Sequence, residues 1–130
     1  FDRCRIEPWH HTTGTCYITA PSTPAGKPGY LFVNCTVQGS AARGSVYLVR
    51  PWRADGACYW LDCTLSEEIC ADGWNNWNNA ENEKTARFGE YGSTGPGSAP
   101  QRAFGSVDND AAANAQREML ARVRAEFDLA

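Results

Sequence analysis

The sequence predicts an all-β protein, a parallel β-solenoid whose chain winds through repeated short strands and then forms one helix. Three observations predict this fold class. A six-residue template containing cysteine occurs three times, strand-like segments lie between its copies, and the hydrophobic periodicity becomes helical near the C-terminus. With 42% hydrophobic and 21% charged residues, the 130-residue chain has the composition of one folded domain.

The template consists of an aromatic residue, two further residues, a cysteine, a polar residue and an aliphatic residue. It occurs at residues 1–6, 32–37 and 60–65. Because side chains alternate between the two faces of a strand, the cysteine and the aliphatic residue of each copy share one face. Stacking the copies in register places three cysteines in one interior column, namely Cys4, Cys35 and Cys63.

A second strand in each coil is predicted at residues 16–20, 46–50 and 86–91. These segments are rich in aromatic and β-branched residues and are bounded by Gly, Pro and Ser. The connections at residues 21–28, 39–44 and 66–84 are then loops, where a rigid solenoid usually carries its functional sites.

The six cysteines leave two interpretations open. In a secreted scaffold they pair as disulfides, although the sequence selects no connectivity. As small buried hydrophobes they stay free, which we favour for the three template cysteines. Of the others, Cys58 and Cys70 are the better disulfide candidates. A zinc site is disfavoured, because no Cys-x-x-Cys pair occurs and His10 and His11 are adjacent, as in an exposed turn.

Residues 111–127 are predicted to form an amphipathic helix, with Asp108 or Asp110 as its N-terminal cap. Its apolar residues recur at helical spacing and are Met119, Leu120, Val123 and Phe127. Because the last rung of a solenoid needs a cover, we interpret this helix as a structural cap. The predicted organisation is therefore β-helix coils over residues 1–104 and a helical tail over residues 105–130.

Charge and hydropathy exclude two classes of partner. A net charge of −3 and a pI near 5.3 argue against nucleic acid, because phosphate binding needs a basic surface. The longest apolar runs, such as residues 46–49, are far too short to cross a bilayer, so no membrane partner is expected. Since Phe1 lies inside a strand-like pattern, we expect the chain to be the C-terminal part of a longer protein.

The first motif suited to binding is Arg50, Pro51 and Trp52, directly after a predicted strand. Proline ends ladder pairing, so the arginine and the tryptophan are held at a strand end. There the guanidinium can bind a carboxylate through two hydrogen bonds, and the indole can stack on a sugar ring. The alternative is a surface arginine packed over a structural tryptophan.

The second motif, at residues 73–79, holds four asparagines and two tryptophans, Trp74 and Trp77. Tryptophan offers an apolar face to a sugar ring, and carboxamides pair with sugar hydroxyls. This composition indicates carbohydrate binding, with one of the two tryptophans expected in the core.

Four stretches together resemble the C-terminal part of the pectin methylesterases, and most closely the bacterial members. They are residues 17–23, 47–52, 73–77 and 88–97, in the family's order and with comparable separations. The resemblance implies a right-handed single-stranded parallel β-helix from a secreted or periplasmic enzyme. Such an enzyme hydrolyses methyl esters of homogalacturonan to pectate and methanol, with pectin as its partner and with no metal or organic cofactor.

The resemblance also implies roles for three residues. Arg50 holds the family's nucleophilic aspartate in its charged form, Trp52 lines the sugar subsite, and Trp77 lies where the family places another substrate-facing side chain. Val49 departs from the family, which usually has glycine before the arginine. The family's glutamines and both catalytic aspartates precede the stretch that matches Phe1, so the chain alone is expected to be inactive.

Two alternatives are a non-catalytic carbohydrate-binding β-solenoid and a small secreted interaction domain held by disulfides. Asp2, Asp55 and Asp62 do not match the family's catalytic motifs and are assigned no role. Self-association through the first coil is a further expectation, because an unpaired strand edge invites pairing.

Overall fold

A computed structural model describes residues 1–10 and 14–127, which form nine short strands and two helices. The strands are β1 (Arg5–Ile6), β2 (Cys16–Thr19), β3 (Tyr30–Val33), β4 (Thr36–Val37), β5 (Val46–Val49), β6 (Ala57–Leu61), β7 (Thr64–Leu65), β8 (Arg87–Tyr91) and β9 (Ser106–Val107). The helices are α1 (Glu81–Thr85) and α2 (Asp110–Glu126).

The strands form three parallel sheets, and the chain visits them in turn. Sheet A has the order β3-β6-β8-β9, sheet B the order β1-β4-β7, and sheet C contains β2 and β5. Parallel bridges extend all three sheets by one rung, including Asp2 with Val33 in sheet A and Thr64 with Thr94 in sheet B. This winding confirms the predicted parallel β-helix.

The cysteine template repeats in register as predicted. The ring of Phe1 stacks on Phe32 with centroids 4.6 Å apart, and Phe32 stacks on Trp60 at 3.9 Å. Cys35 and Cys63 are both buried. The cysteines lie in register on successive coils, because the Thr36 amide donates to the Cys4 carbonyl and the Thr64 amide donates to the Cys35 carbonyl. The column of inward-facing cysteines is therefore confirmed.

The template is not a single strand, however. Asn34 and Asp62 have left-handed φ angles of 54° and 53°, so the chain bends there from sheet A into sheet B. Asparagine and aspartate tolerate this conformation better than most residues do. The aromatic residue and the cysteine of each copy consequently enter the core from two different sheets.

The assignment of residues 86–91 to the second strand series was wrong. Strand β8 pairs with β6 in sheet A, where Cys58 lies beside Phe88 and Trp60 beside Glu90. The third rung of sheet C consists of two isolated bridges, which Ile69 and Trp74 make to β5. The sequence pattern did not locate this rung, because its two bridging residues do not lie in a continuous run of β-branched residues.

The six cysteines are all free thiols. The interpretation of Cys58 and Cys70 as disulfide candidates is therefore wrong. Cys58 is fully buried in β6, where its sulfur lies 3.6 Å from Oγ1 of Thr19, while Cys70 is only half-buried. Burial raises the pKa of the Cys58 and Cys63 thiols to about 12, as expected for thiols that serve as apolar filling.

Helix α2 is confirmed, but its N-terminal cap is neither Asp108 nor Asp110. Asn109 accepts a hydrogen bond from the Ala112 amide at 2.9 Å. Within the helix, Ala113 is 1% exposed.

The helix lies along the outer face of sheet A rather than over the end of the solenoid. Ala113 packs on Val33 and Leu61, and Arg124 is paired with Asp2 in the first coil. That outer face is apolar, so it needs a cover more than the last rung does. Sheet A itself continues to Val107, beyond the predicted division at residue 104.

A buried ion pair ends the interior aromatic column. Glu90, in register with Trp60, is bonded to Arg102, and both side chains are 1% exposed. Arg102 also donates to the carbonyls of Cys70, Ala71 and Gly97. The pair therefore fastens the chain after β8 against the interior. No helix within the described residues is long and apolar enough to cross a membrane.

Candidate functional site

Strand β5 positions the first predicted motif. The Arg50 amide donates to the Thr19 carbonyl at 3.0 Å, and the Trp52 amide donates to the Pro21 carbonyl at 3.1 Å. Pro51 between them is buried. Backbone pairing with the previous coil therefore continues past the strand end and holds both side chains of the motif on a rigid edge.

The guanidinium of Arg50 lies among three aromatic rings. Its Cζ atom is 4.1 Å from the ring centre of Trp77, 5.2 Å from that of Trp52 and 5.5 Å from that of Tyr17. These distances are those of cation–π contacts. The structure thus brings together all three residues singled out from the sequence, Arg50, Trp52 and Trp77.

One nitrogen of Arg50 is buried without a partner. Nη1 makes no hydrogen bond within the described part of the chain. A buried polar atom usually has a partner, and a guanidinium most favours a carboxylate. The aromatic rings supply no hydrogen-bond acceptor of this strength, so the site is chemically prepared for an anionic group from outside the described residues.

Tyr17 was missed as a site residue. It stands in register with Tyr47, and the two rings stack with centroids 5.3 Å apart. The rings of Tyr17 and Trp77 form a T-shaped pair, with centroids 5.5 Å apart and an interplanar angle of 87°. The available signal was the tyrosine repeated at equivalent positions of β2 and β5, which places both rings on the outer face of sheet C.

Asparagine side chains shape the loop that carries Trp77. The Trp77 amide donates to Oδ1 of Asn75 at 2.5 Å, and the Asn78 amide donates to Oδ1 of Asn76 at 2.9 Å. Trp77 and Asn78 both have φ of 57°, a left-handed conformation that costs energy for a non-glycine residue. The loop is therefore held in one conformation, with the indole over Arg50.

The two tryptophans of this segment divide as expected. Trp74 is fully buried, and its Nε1 donates to the Phe104 carbonyl at 2.7 Å. Trp77 is 48% exposed and Trp52 is 56% exposed. Trp74 therefore anchors the segment in the core, and the indoles of Trp77 and Trp52 are partly exposed to solvent.

An open groove of about 530 Å³ lies beside the rings of Trp52 and Trp77. Its lining residues are Pro51, Trp52, Arg53, Ala54, Trp77, Asn79 and Asn82. Asn82, on α1, is fixed by a hydrogen bond from its Nδ2 to the Asn76 carbonyl at 3.0 Å. A concave surface with aromatic walls and a few polar groups is typical of a ligand site.

Arg87 connects two loops near the Arg50 motif and was not predicted. Its guanidinium donates to the carbonyls of Pro24, Lys27 and Asp55. It therefore joins the loop after β2 to the loop after Trp52. An arginine at the start of a strand gives no sequence signal for such a role.

The other candidate residues lie outside this site. Asp2 is paired with Arg124 and Asp62 with Arg117. The Arg124 guanidinium is the main cause that lowers the pKa of Asp2. His10 is exposed, and its backbone amide donates to Oγ of Ser40, whereas His11 lies outside the described residues.

The three parallel sheets define the chain as a parallel β-helix protein. A sequence model of the pectinesterase family matches residues 1–114. The chain therefore belongs to the pectinesterase family.

Two curated relatives from Arabidopsis thaliana carry the family's name. The chain is 39% identical to probable pectinesterase 8 over 70 residues, which are 54% of this chain and 17% of the relative. It is 33% identical to probable pectinesterase 29 over 61 residues, which are 45% of this chain and 17% of the relative. The similarity to bacterial members stays a prediction.

Solved structures share the fold. The pectin methylesterase from carrot superposes with a TM-score of 0.72 at 21% identity, over 86% of this chain and 40% of the carrot chain. A pectin methylesterase in complex with a hexasaccharide superposes with a TM-score of 0.71 at 24% identity, over 88% of this chain and 42% of that chain. The pectin methylesterase from Aspergillus niger superposes with a TM-score of 0.59 at 27% identity, over 68% of this chain and 31% of that chain. The chain thus spans less than half the length of these structures.

Proposed function

We propose that this chain forms the C-terminal coils of a pectin methylesterase, which hydrolyses methyl esters of homogalacturonan to pectate and methanol. Membership of the pectinesterase family supports the reaction class. The observation that carries the proposal for the site is the buried Nη1 of Arg50, which lacks a partner among the described residues and faces aromatic rings rather than an acceptor.

In this proposal Arg50 holds the nucleophilic aspartate, which preceding coils supply, in its ionised form. A positive charge within about 4–6 Å lowers a carboxyl pKa by about one to three units. The aromatic rings around Arg50 fix the guanidinium without neutralising it. Arg50 therefore acts on the charge of the nucleophile, and it takes up no proton itself because its own pKa is far above neutral.

Trp52 and Trp77 are proposed to contact the polysaccharide. Their partly exposed side chains line the same groove, and an indole face packs well against the apolar face of a sugar ring. Pectin is an extracellular polymer, so the proposed location of the complete protein is secreted or periplasmic.

The test is methanol release from methyl-esterified pectin by the complete protein and by Arg50→Ala. At a pH below the wild-type pKa of the nucleophile we expect turnover to fall about 10- to 1,000-fold, because the ionised fraction there falls about tenfold for each unit by which the pKa rises. The activity profile should shift to higher pH. Arg43→Ala changes an exposed arginine outside the groove and should leave the rate unchanged.

Trp52→Ala should raise the Michaelis constant for the polymer with a smaller effect on turnover, since the indole contacts substrate in both the ground state and the transition state. Unchanged methanol release by Arg50→Ala would overturn its role. Complete absence of esterase activity from the full protein would favour the alternative, a carbohydrate-binding β-solenoid without catalysis.

A further inference from the structure

The bend from sheet A into sheet B in the second coil carries the triplet Asn34, Cys35 and Thr36. An asparagine two residues before a threonine is an acceptor sequence for N-glycosylation, provided that the middle residue is not proline. This triplet is the only one of its kind in the 130 residues. A continuous strand over residues 32–37 would enclose the asparagine in a buried ladder, whereas the observed bend exposes it.

The backbone of Asn34 is fixed, but its side chain is not. The φ angle of Asn34 is 54°, and its amide donates to the Leu61 carbonyl at 3.0 Å. The residue is exposed, and within residues 1–10 and 14–127 its carboxamide forms no hydrogen bond. A substituent on Nδ2 of Asn34 therefore displaces no contact of the fold.

The equivalent bend positions of the neighbouring coils are engaged. Asp62 has a φ angle of 53°, and its carboxylate accepts from Arg117 of α2 at 3.1 Å. Arg3 has a φ angle of 55° and is paired with Asp2. Of these three bend residues, Asn34 alone has a side chain without a partner in the described part of the chain. The surface of the bend is therefore free at the second coil.

The other two residues of the triplet are locked in the folded coil. Cys35 is 1% exposed, and Thr36 lies in β4, where it pairs with Arg5 and Thr64. An enzyme that binds the asparagine and threonine side chains together needs a flexible segment, so transfer precedes the closing of the coil. The folded coil then has only to accommodate the product, which the exposed position of Asn34 allows.

We infer that Asn34 is an N-glycosylation site. The donor is an oligosaccharide linked to a polyprenyl pyrophosphate. Nδ2 of Asn34 attacks the anomeric carbon of the first sugar, the new C–N bond replaces the C–O bond to the pyrophosphate, the pyrophosphate leaves as an anion, and Nδ2 gives up one proton. The inference rests on the proposed function, because it needs the secreted location and a secretory pathway that contains the transferase.

A glycan at this position leaves the Arg50 site open. Asn34 follows the carboxyl end of β3, whereas the loop after Arg50 leads into the amino end of β6. Because β3 and β6 are parallel neighbours, these two points lie at opposite ends of the strands of sheet A. We therefore expect equal methanol release before and after enzymatic removal of the glycan.

The test is mass spectrometry of the complete protein expressed through a eukaryotic secretory pathway. Peptide N-glycosidase in heavy-oxygen water converts a glycosylated asparagine into an aspartate that carries the heavy oxygen, so the modified residue is identified directly. We expect this label at Asn34 in most molecules.

Two variants separate the acceptor from the fold. Asn34→Asp removes the acceptor and introduces the residue type that Asp62 already provides at the equivalent bend. Thr36→Val removes only the hydroxyl of the triplet. Both variants should lose the glycan completely. The matched control is Thr64→Val, which changes the in-register threonine of the next coil, two residues after an aspartate, and should keep the glycan.

The outcomes separate this inference from the proposed function. An unlabelled Asn34 in the wild type, or a label that persists in Thr36→Val, would overturn the inference. Because transfer precedes folding, protein retained inside the secretory pathway is measured in the same way, so poor secretion of a variant does not obscure the result. Glycosylated protein without esterase activity would contradict the proposed function alone, and active protein without the glycan would contradict this inference alone.

Discussion

The guanidinium carbon of Arg50 lies 4.1 Å above the centre of the Trp77 ring. The two residues come from different coils, one from the end of β5 and the other from the asparagine-rich loop of the next coil. The contact therefore depends on the stacking of coils and not on local sequence. The Asn75 side chain holds the backbone of Trp77, and the Trp77 ring in turn restrains the guanidinium of Arg50.

Trp77→Ala is expected to lower the free energy of unfolding and to couple with substitution of Arg50. In a double-mutant cycle with Arg50→Met, the coupling should be about 0.5–2 kcal/mol, the range of cation–π contacts. Urea unfolding of the four proteins measures it. The same cycle with Arg43→Met is the control and should show no coupling. A coupling free energy of zero between Trp77→Ala and Arg50→Met would mean that the contact between the ring and the guanidinium does not stabilise the protein.

Glu90→Gln should destabilise the protein more than loss of any of its exposed ion pairs does. It leaves Arg102 buried without its counter-charge, which typically costs about 3–5 kcal/mol. The free energy of unfolding in urea is the measurement.

Glu7→Gln serves as the matched control for this substitution. It removes the exposed partner of Arg5 and should leave the unfolding midpoint nearly unchanged. The double variant Glu90→Met with Arg102→Met should recover much of the loss, because it buries no charge. Equal stability of Glu90→Gln and wild type would show that the buried pair contributes little to the fold.

The periodic parts of the fold could be predicted from the sequence. The cysteine template identified the coils because a solenoid repeats its interior contacts, so Phe32 and Trp60 stack on each other as their shared position requires. The bend at Asn34 could not be read in advance, since a left-handed residue between two short strands leaves the alternation of the pattern almost intact. The position of α2 depended on the apolar outer face of sheet A, which a strand pattern alone does not locate.

The site was predictable where one short motif carried it. Arg50 and Trp52 follow a strand directly, so their shared edge was expected from the proline between them. Asn82 lines the groove from α1, and its sequence neighbours give no sign of this position. Tyr17 contacts Arg50 from the preceding coil, and its only sequence signal was the tyrosine repeated in β2 and β5. The guanidinium of Arg87 donates to backbone carbonyls, which every residue type has, so the sequence does not reveal these contacts.

The stability of the protein should decline in alkali partly because of its buried thiols. The folded-state pKa of Cys58 is raised to about 12 from an ordinary value near 9. The protonated thiol is therefore favoured in the folded state, so its contribution is complete below about pH 9 and is lost as the pH rises toward 12.

Comparison of wild type with Cys58→Ala isolates this effect. At neutral pH the variant should be less stable, because it leaves a small cavity in the core. Between about pH 9 and pH 11 the difference in the free energy of unfolding should shrink, since only the wild type carries the thiol. A difference that is constant with pH would contradict the raised pKa.

Ala113→Arg should detach α2 from the solenoid. Ala113 is 1% exposed and packs against Val33 and Leu61, so an arginine has no room there. An isolated helix of this length is only marginally stable in water, and α2 should then lose its amide protection. Hydrogen exchange measures the protection of residues 110–126 directly, and Ala111→Arg is the control because Ala111 is exposed on the first turn. If β3, β6 and β8 keep their protection while β9 and α2 lose it, residues 105–130 behave as a separable tail, as the sequence predicts. If all of these elements lose protection together, the helix is an integral part of the β-helix core, and a division of the chain at residue 104 has no physical basis.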